Sequence, residues 1–317
     1  MVVLGRSASR LAVVALVCVA ALLFGGAAAP ARVAEVLAVF AADGWRRWWW
    51  ADRAPIRWSG ELPLMRDAVT WHRASPGLEW GELRLSGAGE AWRLRVILAR
   101  LDPARHTISL AARADGPGTL GAWWVGAAPA AALLAINAGQ FSEDGPWGWV
   151  VHHGREYRPP GVGPLSMAVV VDTAGRVRFV AAESLSAARA RGGVAEAFQS
   201  YPVLLTGDGL VPEPLRQRGR GVDLDHRDSR LAVGELRDGR ILVALTRFEA
   251  LGGLLSELPF GPTVPEMAAL MGALGARQAV MLDGGLSGQL LVREAGGGER
   301  EWKGLRRVPL GLVAVPR

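Results

Sequence analysis

The sequence predicts an α+β fold: a single domain with a mixed, mostly antiparallel β-sheet and a few packing helices, after an N-terminal signal or anchor helix. Three observations carry this prediction. Short apolar or alternating runs, punctuated by Gly, Pro and Asp, recur through the body as strands and hairpins require. Beyond the N-terminus only residues 263–275 carry a full set of helix signals. The chain has 317 residues, 50% hydrophobic and 21% charged, enough for one large globular domain with a real core.

The N-terminus reads as an export signal. Arg6 and Arg10 precede an apolar span, residues 11–29, long enough to cross a bilayer. Ala27-Ala28-Ala29 offers small residues for cleavage, while Pro30 hinders a cut directly after Ala29. A signal peptide and an uncleaved membrane anchor both fit residues 1–30. Either places the body outside the cytoplasm, secreted or held on the outer side of the cytoplasmic membrane. Cys18, the one cysteine, lies in this span, so the body has no disulfide and no cysteine metal site. Residues 31–65 include Trp45-Arg46-Arg47-Trp48-Trp49-Trp50, then Pro55 and Pro63. They suit a juxtamembrane segment and linker, or equally an extension packed on the domain. The domain proper is expected over 66–317.

Residues 91–101 alternate apolar and basic positions, as a half-buried strand does. Further strands are expected at 107–112, 133–137, 147–152, 165–171 and 177–182, the last two joined by the turn Asp172-Thr173-Ala174-Gly175. Residues 231–235 and 240–245 form a hairpin through Asp238-Gly239. Thr263-Val264-Pro265-Glu266 is a capping box with proline in the first turn. Met267, Leu270, Met271 and Leu274 then make one apolar stripe, and Gly275 is a fitting stop. This helix leads into the apolar run 279–282, which ends in Asp283.

The net charge is +6, with Lys303 the only lysine. Basic residues are scattered apart from Arg46-Arg47 and 216–220, and no nucleic-acid motif is present, so no nucleic-acid partner is expected. Asp283 is followed at once by Gly284 and Gly285, which permit a sharp exit and close backbone approach. A carboxylate there is either a turn former or a group doing chemistry. Asn137-Ala138-Gly139-Gln140-Phe141, Gln199-Ser200-Tyr201-Pro202 and Arg230 also stand at expected strand ends. The adjacent His152 and His153 should point to opposite faces of a strand, which favours a surface role over a metal site. Asp223, Asp225, His226 and Asp228 either hold Ca²⁺ or Mg²⁺ through oxygen ligands or form a solvated loop that positions Arg230.

Taken in order, these stretches resemble the phosphodiester glycosidase family, which includes the enzyme that uncovers mannose 6-phosphate by removing N-acetylglucosamine and bacterial envelope proteins linked to exopolysaccharide. Asn137-Ala138-Gly139-Gln140-Phe141 resembles its Asn-Gly-Gly-Phe-Phe motif, and Gln199-Ser200-Tyr201-Pro202 its Gln-Ser-Gly-Pro. Arg230-Leu231-Ala232-Val233-Gly234 resembles Arg-Thr-Ala-Ile-Gly. Leu282-Asp283-Gly284-Gly285-Leu286-Ser287 resembles Leu-Asp-Gly-Gly-Gly-Ser. The similarity spans roughly residues 75–315. Gln140, Tyr201, Leu231, Leu286 and Gly288 depart from the family pattern, changes that would reshape a sugar pocket or remove catalysis.

The resemblance implies hydrolysis of a sugar-1-phosphodiester at the anomeric carbon, on an envelope or extracellular glycan. The leaving group is already a phosphate, so a strong general acid is less needed than in ordinary glycosidases. Asp283 would activate water or attack the sugar, and Arg230 would stabilise the departing charge. Asn137, Gly139, Gln199, Ser200, Gly284, Gly285 and Ser287 would contact substrate. Glu143, Asp144 and Asp228 are reserve acid–base groups. No cofactor is required; an added Ca²⁺ or Mg²⁺ is left open. Two alternatives stand beside this one: a metal-dependent phosphodiesterase cutting P–O, and a non-catalytic glycan-binding or assembly protein.

Overall fold

Strand Ala276–Leu282, which delivers Asp283, lies near one edge of a nine-stranded sheet. A computed structural model describes residues 36–87, 93–114, 120–249, 256 and 258–317. The expected signal or anchor, residues 1–30, lies outside the described residues, and among those described no helix is long and apolar enough to cross a membrane. Along the sheet the order is Val203–Leu205, Ala276–Leu282, Leu231–Leu236, Ile241–Phe248, Leu94–Leu101, Leu78–Ser86, Val36–Ala41 and Gly44–Trp50, with Thr70–Ser75 also paired to Leu78–Ser86. Two five-stranded sheets complete the frame. One runs Arg155–Arg158, Val150–His152, Val194–Ser200, Met167–Asp172, Val177–Ala181; the other runs Glu299–Trp302, Leu290–Arg293, Leu134–Asn137, Gly311–Pro316, His106–Ala111. The α+β expectation holds, with few helices. The sheets are not mixed, however: every strand pairing among the described residues is antiparallel.

The large sheet is buried on both faces. Val96, Leu98, Ala232 and Met281 face a core shared with the helix Val264–Ala273. Ile97, Ala99, Val233 and Leu282 face a second core shared with residues of the smaller sheets, such as Ile136, Val169 and Phe198. Strand Leu94–Leu101 is therefore central rather than half-buried, because hydrogen-bonded neighbours and packed layers surround it. Arg100 survives near its end by stacking on Trp71, 3.6 Å from the ring centre, and pairing with Glu79 at 2.8 Å.

Both expected hairpins form. Leu231 pairs with Leu245 across the Asp238-Gly239 turn, where Gly239 has φ +84°. The capping box is complete: Thr263 Oγ1 accepts from the Glu266 N–H at 3.3 Å, and the Thr263 N–H donates to Glu266 Oε2 at 2.9 Å. The helix is not amphipathic, since nine of its ten residues are buried. Trp58 explains this. It covers the outer side so closely that a Cβ on Gly272 would collide with its ring. The Trp/Arg-rich segment is thus structural. Residues 36–41 and 44–50 add two strands, Trp49, Trp58 and Met65 are buried, and the compact unit begins at Val36 rather than at 66.

Candidate active site

The site forms where strands Leu231–Leu236 and Ala276–Leu282 run side by side, Leu231 opposite Leu282. The residues beyond this pair, Asp228–Arg230 on one chain segment and Asp283–Gly285 on the other, are held together by backbone contacts. The Gly285 N–H donates to the Ser229 carbonyl at 2.6 Å. A Cβ on Gly284 would collide with that same carbonyl, and one on Gly285, at φ +54°, would stand 2.9 Å from an Asp228 carboxylate oxygen. Both glycines are therefore required for the close approach of the two segments.

Asp283 and Asp228 become neighbours by this route. Both are half-buried, and both carboxyls are held above the ordinary aspartate range, first of all by burial. For Asp283 a hydrogen bond from Ser287 and the charge of Arg306 act in the opposite direction, and the negative charge of Asp228 adds to the rise. For Asp228 the lowering influences are Arg230, the Ser229 backbone N–H and His226. Asp228 Oδ1 is buried with no hydrogen-bond partner. An unpartnered buried carboxyl oxygen is costly, and such sites concentrate where chemistry is done.

The other expected residues are gathered around this pair, several in different roles. Asn137 is buried and fully engaged as a bracket: its Nδ2 donates to the Asp283 carbonyl at 2.7 Å, and its Oδ1 accepts from the Gln289 N–H at 3.0 Å. Gly139, at φ +69°, accepts from the Asp283 N–H at 3.0 Å through its carbonyl. Ser200 is fully buried and donates to the Met281 carbonyl. Gln199 is also fully buried. Its Oε1 accepts from Trp149 and Gly161 N–H groups at 2.9 and 2.8 Å, and its Nε2 donates to the Gly161 carbonyl at 3.0 Å and Ser166 Oγ at 2.8 Å. These amide and hydroxyl groups, expected to meet substrate, fasten the strands that present the carboxylates. Ser287 does reach the acid, through its bond to Asp283.

Arg230 is buried, and its guanidinium donates to the Pro262 carbonyl at 3.1 Å and the His226 carbonyl at 2.7 Å. It sits behind Asp228, to which its charge is coupled. The exposed cation acting on Asp283 is instead Arg306, whose guanidinium lies 4.8 Å from the Phe141 ring centre and whose N–H donates to the Leu286 carbonyl at 2.9 Å. The basic doublet Arg306-Arg307 before the last strand was its only signal in the sequence. Buried Arg247 was also missed. It donates to the Gly288 and Lys303 carbonyls at 2.6 and 2.8 Å, tying the turn after Asp283 to the segment carrying Arg306.

Of the reserve acids, Asp228 is beside Asp283. Glu143 and Asp144 stand exposed at the tip of the hairpin Phe141–Ser142/Gly145–Pro146, and neither is among the charges acting on Asp283. In the acidic cluster before Arg230, Asp223 and Asp225 use their carboxylates within the loop. Asp223 Oδ1 accepts from the Asp225 and His226 N–H groups at 3.0 and 3.1 Å, and Asp225 pairs with Arg218. The departures from the motif also resolve. Leu231 is fully buried in the core, Leu286 is exposed, and Tyr201 is exposed with its ring centre 4.7 Å from that of Trp147.

Two half-buried carboxylates and an exposed arginine thus meet at the ends of adjacent strands of an antiparallel scaffold. The chain belongs to the phosphodiester glycosidase family, whose model matches residues 130–315. Among solved structures, the fold is similar to the zebrafish N-acetylglucosamine-1-phosphodiester alpha-N-acetylglucosaminidase catalytic domain auto-inhibited by its pro-peptide, with a TM-score of 0.56 and 16% identity over 79% of this chain and 87% of that one. A hypothetical protein from Synechocystis is similar at a TM-score of 0.51 and 16% identity, over 78% of this chain and 64% of that one. Comparison with curated proteins gives no match.

Proposed function

We propose that this protein hydrolyses a sugar-1-phosphodiester at the anomeric C–O bond, releasing a free sugar and a phosphomonoester, outside the cytoplasm on an envelope or extracellular glycan. The observation that carries this reading is the Asp228–Asp283 pair, two burial-raised carboxyls at one strand junction. Burial raises both carboxyls, and the negative charge of Asp228 adds to the rise at Asp283, so one member favours the neutral form when the other is ionised. The ionised member, assigned to Asp283 because Ser287 and Arg306 favour its charge, activates water or attacks the anomeric carbon. The protonated member, Asp228, donates to the departing phosphate. Arg306 meets the phosphate charge from the solvent side, taking the part first assigned to Arg230. Arg230 holds Asp228 and its loop. The exposed Tyr201, packed against Trp147, offers an aromatic face to the sugar.

The test is a panel of sugar-1-phosphodiesters offered to the full chain and to its Asp283→Asn and Asp228→Asn variants. Turnover of one member, lost in Asp283→Asn and reduced in Asp228→Asn, supports the assignment. Full activity in both variants removes it. Binding of sugar phosphates without any turnover selects the glycan-binding alternative.

A further inference from the structure

His152 and His153 do not diverge as neighbouring strand residues should. Strand Val150–His152 pairs with Arg155–Arg158, His152 opposite Arg155, so the hairpin turn is His153-Gly154. Its φ values are +50° and +73°, the positive pair that a two-residue type I′ turn demands. Asn or Gly usually fills the first of these positions. Here the turn throws the His153 ring back over His152, and the two rings stack with centres 3.9 Å apart. Both face Glu196 on strand Val194–Ser200. His152 Nδ1 is 2.9 Å from Glu196 Oε2, and His153 Nδ1 is 3.1 Å from Glu196 Oε1. The Glu196 side chain is only 6% exposed, while that of His153 is 76% exposed.

We propose that His152, His153 and Glu196 bind a zinc-class divalent transition-metal ion. Their ligand atoms all lie within 4.8 Å of one another, and no other group of three such side chains converges among the described residues. A tetrahedral site with bonds near 2.1 Å has ligand–ligand edges of roughly 3.4 Å, so an ion would enter with side-chain shifts of up to roughly an ångström. The chemistry fits as well. The His153 backbone N–H also donates to Glu196 Oε1 at 3.3 Å, which holds the carboxylate beside both rings. Two imidazoles and a carboxylate are a ligand set that zinc accepts while leaving a position open. That position faces a cleft of about 570 Å³ lined by both histidines, Trp123 and Trp124, where a water or a small anionic or hydroxylated ligand would complete the shell. Glu196 lies four residues along its strand from Ser200, about 13 Å by strand rise. The metal site is therefore separate from the Asp283 junction, and neither proposal depends on the other.

Untagged full-length protein, stripped with chelator, should be titrated with Zn²⁺ by calorimetry and with Co²⁺ by visible spectroscopy. One Zn²⁺ per chain is expected, together with the intense visible bands of four-coordinate Co²⁺. His153→Ala changes an exposed side chain and Glu196→Gln preserves shape. Each should weaken Zn²⁺ binding roughly 100-fold or more and abolish the Co²⁺ bands, with thermal unfolding confirming that both variants fold. Failure of the parent to bind Zn²⁺, or equal binding by parent and variants, overturns the proposal.

Discussion

Replacing Gln199 by leucine separates two roles that one residue could have. The side chain would keep its approximate volume and lose four hydrogen bonds, two accepted and two donated. Gly161 is half-buried, so water can reach its N–H and carbonyl again. The Trp149 N–H belongs to a buried residue and would be left without its partner, while Ser166 Oγ keeps its bond to the Gly163 carbonyl at 2.7 Å. An unsatisfied buried group costs about 1–3 kcal/mol, so the substitution should destabilise the fold by about that much. That is a measurable part of the 5–15 kcal/mol typical of a domain. Urea unfolding of parent and variant measures the loss, and KM on the folded fraction measures any substrate contact. A lowered midpoint with KM little changed supports the bracket described above. An unchanged midpoint with KM raised tenfold would show that the amide faces substrate, and the reasoning from its saturated hydrogen bonds would be refuted.

Asp228→Asn removes one of the influences that raise the Asp283 carboxyl, so the acid limb of the kcat/KM profile should move to lower pH, while kcat falls if Asp228 donates the proton. The linkage sign follows from the direction of both shifts. A carboxyl harder to ionise when folded favours the fold below its ordinary range, and that contribution is lost as pH rises through the raised folded value. Asp228→Asn should therefore be more stable than the parent at neutral pH, as thermal unfolding across pH would show. Arg306→Ala should lower kcat/KM by about tenfold through KM, with a weaker salt dependence than the parent, because a charge-assisted contact to phosphate is worth about 1.5–3 kcal/mol. Arg227→Met would strand Glu266, whose buried carboxylate Arg227 holds at 2.6 and 3.0 Å. A cost of about 3–5 kcal/mol in chemical denaturation is expected, with loosening of the loop that carries Asp228.

Local signals in the sequence were sufficient where one short segment determines the geometry. The Thr263 capping box, the Asp238-Gly239 turn and the apolar run ending in Asp283 all appear where they were expected. The junction of Asp228 with Asp283 was less legible, since it arises from the pairing of Leu231 with Leu282, residues far apart in the chain. The internal hydrogen bonds of Asn137 and Gln199 are illegible in the sequence for a related reason. A buried amide and a substrate-facing amide have the same letter, and only the surrounding N–H and carbonyl groups distinguish them. Trp58 shows the same limit, for its ring packs on Gly272, and no composition rule connects a Trp/Arg-rich stretch to the back of a distant helix. The histidine pair failed on a single dihedral: alternation assumes extended backbone, and His153 at φ +50° is not extended.

The position of bond cleavage tests the central claim most directly. Hydrolysis of a sugar-1-phosphodiester in ¹⁸O-water, followed by mass analysis of both products, should place the label in the sugar, with turnover abolished in Asp283→Asn. Label in the phosphate would mean that P–O is cut, and the assignment of Asp283 to attack at the anomeric carbon would be contradicted.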